Sequence, residues 1–212
     1  MNGRCSRRRF LATVGVGATA TAGCLGLGES SDGTPTAASD PLAPPRRGAP
    51  DAPVTVSVFV DFACPHCRSF HRNTVPLIDR EYVETGVVTY EHRDFPLPVD
   101  DPGSYRAANA ARAVQHTQGA DVFFEFASGL FENQSDLGLS LYESLADAVG
   151  ADPGAVRSAA KRRVYATTLD RDVALGRGAR IESTPSILVD GDLFRGETWD
   201  DLARWIESAR SE

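Results

Sequence analysis

Val54-Thr55-Val56-Ser57-Val58-Phe59-Val60-Asp61-Phe62 runs through Ala63 directly into Cys64-Pro65-His66-Cys67. The first stretch is apolar and rich in β-branched residues, as a buried strand is. Pro65 fits the first turn of a helix, where a missing N–H wastes nothing. The two thiols therefore sit at a strand-to-helix corner, a place that makes thiolates. Unpaired backbone N–H groups and the positive end of the helix dipole favour an anion at the first cysteine. Cys64 is the expected nucleophile. His66 can add a cation or a hydrogen-bond donor beside the sulfur. Cys67, one helical turn later, is the expected resolving thiol and the less exposed of the two.

A thiolate stabilised in this way leaves easily, so a Cys64–Cys67 disulfide would be readily reduced by substrate thiols. The pair reads as a disulfide donor. The other reading of CxxC is half of a zinc site, but zinc takes four ligands and the chain has no second cysteine pair. Its histidines, His66, His71, His92 and His116, form no recognisable spaced pair. Neither a metal nor another cofactor is expected.

With 212 residues and 42% apolar composition, one hydrophobic core of ordinary size is expected. Of the cysteines, Cys5 and Cys24 fall in an N-terminal segment that looks like a targeting signal. That leaves one pair for the folded part and no structural disulfide.

Ser6-Arg7-Arg8-Arg9-Phe10-Leu11, followed by an uncharged run from Ala12 to Gly23, resembles a twin-arginine export signal with Arg7 and Arg8 as its pair. The run is too short and weakly hydrophobic for a permanent membrane span. Thr21-Ala22-Gly23-Cys24 resembles a lipobox, which implies lipidation of Cys24. A soluble secreted protein cut elsewhere, or an uncut arginine-rich tail, is the alternative. Residues 24–48 are rich in Gly, Ser, Thr, Ala and Pro and read as a flexible tether, with Arg46-Arg47 at its boundary. Residues 49–212 are the expected catalytic domain.

After Cys24 the chain has 18 basic and 29 acidic residues, net −11, a surface that repels nucleic acid. Lys161 is the sole lysine. Acid excess with arginine in place of lysine suggests adaptation to high salt, the alternative being a codon bias toward arginine.

The remaining pattern gives a helix from about Pro65 to Thr85 with Phe70, Leu77, Ile78 and Tyr82 on one face, kinked at Pro76 and ended by Gly86. Val87–Arg93 reads as a second strand, completing a β-α-β unit. From about 102 to 178 the pattern is helical: Ser104–Gln118, Asp121–Phe131, Leu139–Val149 and Pro153–Leu175. Phe123, Phe124, Phe126 and Phe131 read as core in preference to a peptide groove. Asn133-Gln134-Ser135 is a glycosylation sequon. Ser186–Val189, the Asp190-Gly191 turn and Asp192–Arg195 signal a hairpin, and a closing helix begins at Trp199 with Leu202, Trp205 and Ile206 as its stripe. The expected fold is α/β: β-α-β, helical insertion, β-β-α.

This order, Phe62-Ala63-Cys64-Pro65-His66-Cys67 and Thr184-Pro185 before the third strand together resemble the DsbA-like thiol oxidases of the thioredoxin fold, over roughly Ala52 to Ser208. The resemblance implies that Pro185 is cis and lies against the thiols, and that the Thr184 backbone pairs with an extended substrate peptide. Some members carry a buried acid six residues before the first cysteine. Here that position is Val58, and Asp61, three before Cys64, is left as a candidate helix cap. The family's reoxidation implies a membrane-bound redox partner. The reading is thus an exported, membrane-tethered, monomeric thiol-disulfide oxidoreductase that oxidises cysteine pairs in proteins folding outside the membrane. An isomerase or reductase of the same fold, and a non-catalytic peptide-binding lipoprotein with CPHC as a staple, are the alternatives.

Overall fold

The computed structural model describes residues 40–97 and 102–211. Arg7, Arg8 and Cys24, with the rest of the expected signal and most of the tether, lie outside the described residues. The elements are β1 (Arg46–Arg47), β2 (Val54–Val60), α1 (Pro65–Asn73), α2 (Val75–Ile78), a wide helical turn (Asp79–Val83) and β3 (Val88–Asp94). Then come α3 (Gly103–Gln118), α4 (Ala120–Glu132), α5 (Leu139–Ala148), α6 (Pro153–Arg162), α7 (Ala166–Gly178), β4 (Ser186–Val189), β5 (Asp192–Leu193) and α8 (Trp199–Ala209).

The five strands form one sheet in the order β1-β3-β2-β4-β5. β2 is central and parallel to β3, with Val54 opposite Val88 and Val60 opposite Asp94. On its other side it runs antiparallel to β4, with Val56 opposite Val189. Val54, Val56 and Val58 share one face of β2 and are fully buried, while Thr55 and Ser57 on the other face are half-buried. At the β4–β5 turn both Asp190 (φ 49°) and Gly191 (φ 92°) are left-handed, the backbone a two-residue hairpin of this twist demands.

The helix after β2 is not one kinked rod from Pro65 to Thr85. α1 stops at Asn73, and both Leu77 and Ile78 donate to the Thr74 carbonyl. Pro76 has no N–H to continue the ladder and its ring excludes the carbonyl four residues back, so the chain restarts around it. Likewise Pro153–Leu175 is two helices. Arg163 adopts φ 55° between them, and the Tyr165 N–H goes to Asn109 Oδ1 at 2.7 Å instead of continuing the helix. Asp152 caps α6 by accepting from Ala155 N at 2.7 Å.

The tether ends earlier than its composition suggests. The Leu42 N–H donates to Thr168 Oγ1 at 3.0 Å, Gln115 Nε2 donates to the Ala43 carbonyl at 2.8 Å, and His92 N donates to the Pro45 carbonyl at 3.1 Å. Arg46-Arg47 is an edge strand antiparallel to β3 and not a loose boundary. The Arg47 guanidinium lies 4.5 Å from the Tyr90 ring centre and 4.6 Å from that of Phe124, and ion-pairs with Asp79 at 3.0 Å.

α3 is rich in alanine, and Ala107, Ala108, Ala110 and Ala111 are buried, so neighbouring backbones can approach it closely. Its one large buried polar side chain is Arg112, fully enclosed, which donates to Asp94 Oδ2 at 2.6 Å and Asp172 Oδ2 at 2.7 Å. Arg93 extends the network to Asp172 and Glu91. Phe123, Phe126 and Phe131 are core; Phe124 is half-buried against it. α8 opens with a Thr198–Asp201 capping box and buries Leu202 and Ile206. Trp205 lies at the rim of that stripe, 36% exposed and edge-on to Phe194. Among the described residues no helix is long and apolar enough to cross a membrane.

Candidate active site at the corner between strand and helix

β2 delivers the chain to a corner that is tied from within. Ala63 N donates to Asp61 Oδ1 at 2.9 Å and Cys64 N to the Asp61 carbonyl at 3.1 Å. Cys64 is the residue that opens α1, extended at φ −79° and ψ 120°, and no side-chain oxygen caps the helix. The first N–H groups of α1 are left for the sulfur instead. Pro65 follows at the first helical position and is exposed.

The thiols are free and unlike. Cys64 is half-buried, and its thiol stands 3.4 Å from the Thr184 carbonyl oxygen, to which it donates. Its pKa is lowered to about 5: the bond with the Cys67 thiol is the largest cause, burial opposes it, and the Thr184 side chain and the backbone N–H groups of Cys67 and His66 add to it. Cys67 is fully buried and receives the Asp61 N–H at 3.5 Å. Burial pushes its thiol up, and the bond to Cys64 pushes it further. The Thr184–Pro185 peptide is cis. Thr184 thus stands beside Cys64 from a position 120 residues away.

The His66 ring is exposed and makes no hydrogen bond among the described residues, while its backbone N–H adds to the lowering of the Cys64 pKa. Asp61 does not cap α1. Its carboxylate turns inward, 2% exposed, and accepts from Leu97 N at 2.8 Å, Ser104 Oγ at 2.9 Å and Ala63 N. Burial raises its pKa against those bonds. A carboxylate three residues before a cysteine gives no sign in the sequence that it faces away from the helix.

Behind the corner lies a column of rings. Phe62 stacks on His92 with centres 5.4 Å apart and meets Phe131 at 4.9 Å, which in turn stacks on His71 at 4.8 Å. Burial, with Arg47 nearby, lowers the His71 pKa to about 4. At the side of the corner, Gln134 Nε2 donates to the carbonyls of Phe62 at 2.7 Å and Cys64 at 2.9 Å. Nothing in the sequence points to Gln134 except a sequon whose asparagine is otherwise engaged, since Asn133 Nδ2 donates to the Gly129 carbonyl at 2.9 Å. Beside Pro185 a cleft of about 240 Å³ is lined by Phe70, Thr74, Ile187, Trp199 and Leu202. Among the described residues no cluster of side chains could hold a metal ion.

A half-buried thiol of lowered pKa beside a fully buried one, faced by a cis-proline loop and joined by a helical insertion, fits the DsbA-like class of the thioredoxin fold. A family model described as Thioredoxin matches residues 42–208, and the chain belongs to that family. Disulfide bond formation protein D of Bacillus subtilis is 28% identical over 171 residues, covering 77% of this chain and 75% of that protein. The crystal structure of oxidised BdbD from Bacillus subtilis superposes with a TM-score of 0.74 at 27% identity, covering 80% of this chain and 94% of that one. Na(+)/H(+) antiporter NhaA 1 of Mycolicibacterium gilvum is 32% identical over 180 residues, which are 80% of this chain but 28% of the antiporter, so that likeness concerns a part of it. The protein is a thiol-disulfide oxidoreductase.

Proposed function

We propose that the protein is an exported, lipid-tethered oxidase that introduces disulfides into proteins folding outside the membrane, using Cys64 and Cys67. The observation that carries this is the asymmetry of the pair: Cys64 is acidic and reachable, Cys67 buried and held neutral. A low-pKa thiol stabilises the reduced pair and makes its disulfide a strong oxidant. A substrate thiolate attacks Cys64 Sγ in the disulfide form, the S–S bond breaks, and Cys67 leaves and takes a proton. A second substrate thiolate then attacks the substrate sulfur of the mixed disulfide, expelling Cys64 as a thiolate. Two electrons pass from substrate to enzyme. The catalytic domain, residues 49–212, has no third cysteine to remove them, so a membrane-bound redox partner takes them.

The Thr184 backbone and the cleft beside Pro185 suit an extended peptide placed across the Cys64 sulfur. Export and tethering rest on Arg7, Arg8 and Cys24, with the protein at the outer face of the cell membrane as a monomer. The test is equilibration with a glutathione buffer, read by thiol trapping, with Cys64→Ser as control. A strongly oxidising pair supports the oxidase, and a reducing or inert pair overturns it. Loss of membrane association in Cys24→Ser tests the anchor.

A further inference from the structure

Gln134 lies on a single helical turn (Gln134–Asp136) just after α4, in the helical insertion, yet its carboxamide reaches the corner that carries the nucleophile. Both acceptors are carbonyl oxygens, so the group facing them is the NH₂, and each of its hydrogens has one acceptor. The Phe62 carbonyl belongs to the peptide plane before Ala63, and the Cys64 carbonyl to the plane after Cys64. Fixing those two planes fixes the backbone torsions of Ala63 and Cys64 between them. Those torsions set the direction of the Cys64 Cα–Cβ bond. We infer that Gln134 is a positioning residue for Cys64: it holds both peptide planes so that Sγ points at the free N–H groups at the start of α1.

The rest of the neighbourhood supports a clamp over casual contact. The Cys64 carbonyl also accepts the Arg68 N–H at 3.2 Å, the first bond of α1, so Gln134 acts where the helix begins. Gln134 is itself held in place, because α4 ends in two bonds from Asn133 to the Gly129 carbonyl and Asp136 N closes the next turn onto the Asn133 carbonyl. Three residues before Gln134, Phe131 packs on the ring of Phe62. The insertion thus grips Phe62 twice, by ring and by carbonyl. On the opposite side Asp61 ties Ala63 and Cys64 by their N–H groups. Donors bound on one side and acceptors on the other narrow the backbone torsions of the Ala63–Cys64 unit.

The inference deepens the oxidase reading and is separable from it. The test uses the full chain with Cys5→Ser and Cys24→Ser, so that only Cys64 and Cys67 titrate. Gln134→Met keeps length and removes both donors, Gln134→Glu puts a carboxylate against two carbonyls, and Gln134→Ala only trims should the others fail to fold. Gln118→Met is the control, losing an amide bond of 3.2 Å to the Gly150 carbonyl. Thiolate absorbance against pH and the glutathione equilibrium constant are the readouts, with the thermal midpoint of the oxidised form to separate positioning from stability. Gln134→Met and Gln134→Ala should raise the Cys64 titration midpoint and make the disulfide roughly fivefold to tenfold less oxidising, the scale of one net hydrogen bond. Gln134→Glu should go further and Gln118→Met should match the parent. Folded Gln134 variants that titrate and equilibrate like the parent would overturn the assignment. A parent without an acidic thiol would sink the oxidase reading instead.

Discussion

The Thr184 carbonyl oxygen faces the Cys64 sulfur at 3.4 Å. This one contact joins the strand-to-helix corner to the loop before β4. Replacing Pro185 removes the residue that shapes this loop. Pro185→Ala should slow release of substrate and let mixed disulfides accumulate, visible as higher-mass species on non-reducing gels that vanish with reductant.

Cys64→Ser should abolish thiol oxidation, whereas Cys67→Ser should keep an acidic, alkylatable Cys64 and lose turnover. Mass spectrometry after brief alkylation about one unit above the Cys64 pKa of about 5 distinguishes the two. Equal labelling of both variants would contradict the assignment of the nucleophile.

The depressed Cys64 pKa makes the reduced protein's stability depend on pH. The folded value is about 5 against 9.0 unfolded, so the stabilisation is complete above pH 9 and is lost as pH falls through 5. Denaturation midpoints of the reduced parent should therefore drop relative to reduced Cys64→Ser between pH 9 and pH 5. Parallel curves for the two would show that Cys64 is not perturbed.

Arg112 is fully buried between Asp94 and Asp172. Burial pushes the Asp94 carboxyl up, but Arg112 and His92 outweigh it and hold it below the usual range. Arg112→Leu takes the shared cation from two buried carboxylates, leaving Asp94 with His92 and Asp172 with Arg93, and should cost about 3 kcal/mol in a urea titration. Lowering the pH should recover part of that loss by neutralising them.

Asp61→Ala leaves the Leu97 N–H, the Ala63 N–H and the Ser104 hydroxyl without their acceptor. A loss of about 1–3 kcal/mol is expected from unsatisfied buried donors, measurable by the same titration.

What could be read in the sequence was local. β2 announces itself through alternating valines, the dithiol through its spacing, and the hairpin through Asp190-Gly191. Thr184-Pro185 could be matched to the corner only by resemblance, since 120 residues separate it from Cys64. What escaped depends on distant partners that no pattern encodes. Gln134 meets the corner across 70 residues, Leu42 meets Thr168 across 126, and the break at Arg163 is stabilised by Asn109 on another helix. His66 was legible as a residue but not as a role, because its ring and its N–H point to different tasks.

The burial of Cys67 gives the reaction a single entrance. A substrate thiol can be joined to only one sulfur, so every covalent complex has the same linkage, through Cys64. The second sulfur is an internal ledger that the client never touches. Escape from a stalled complex is therefore available without any client thiol, since Cys67 can close back on Cys64 and return the client as it came.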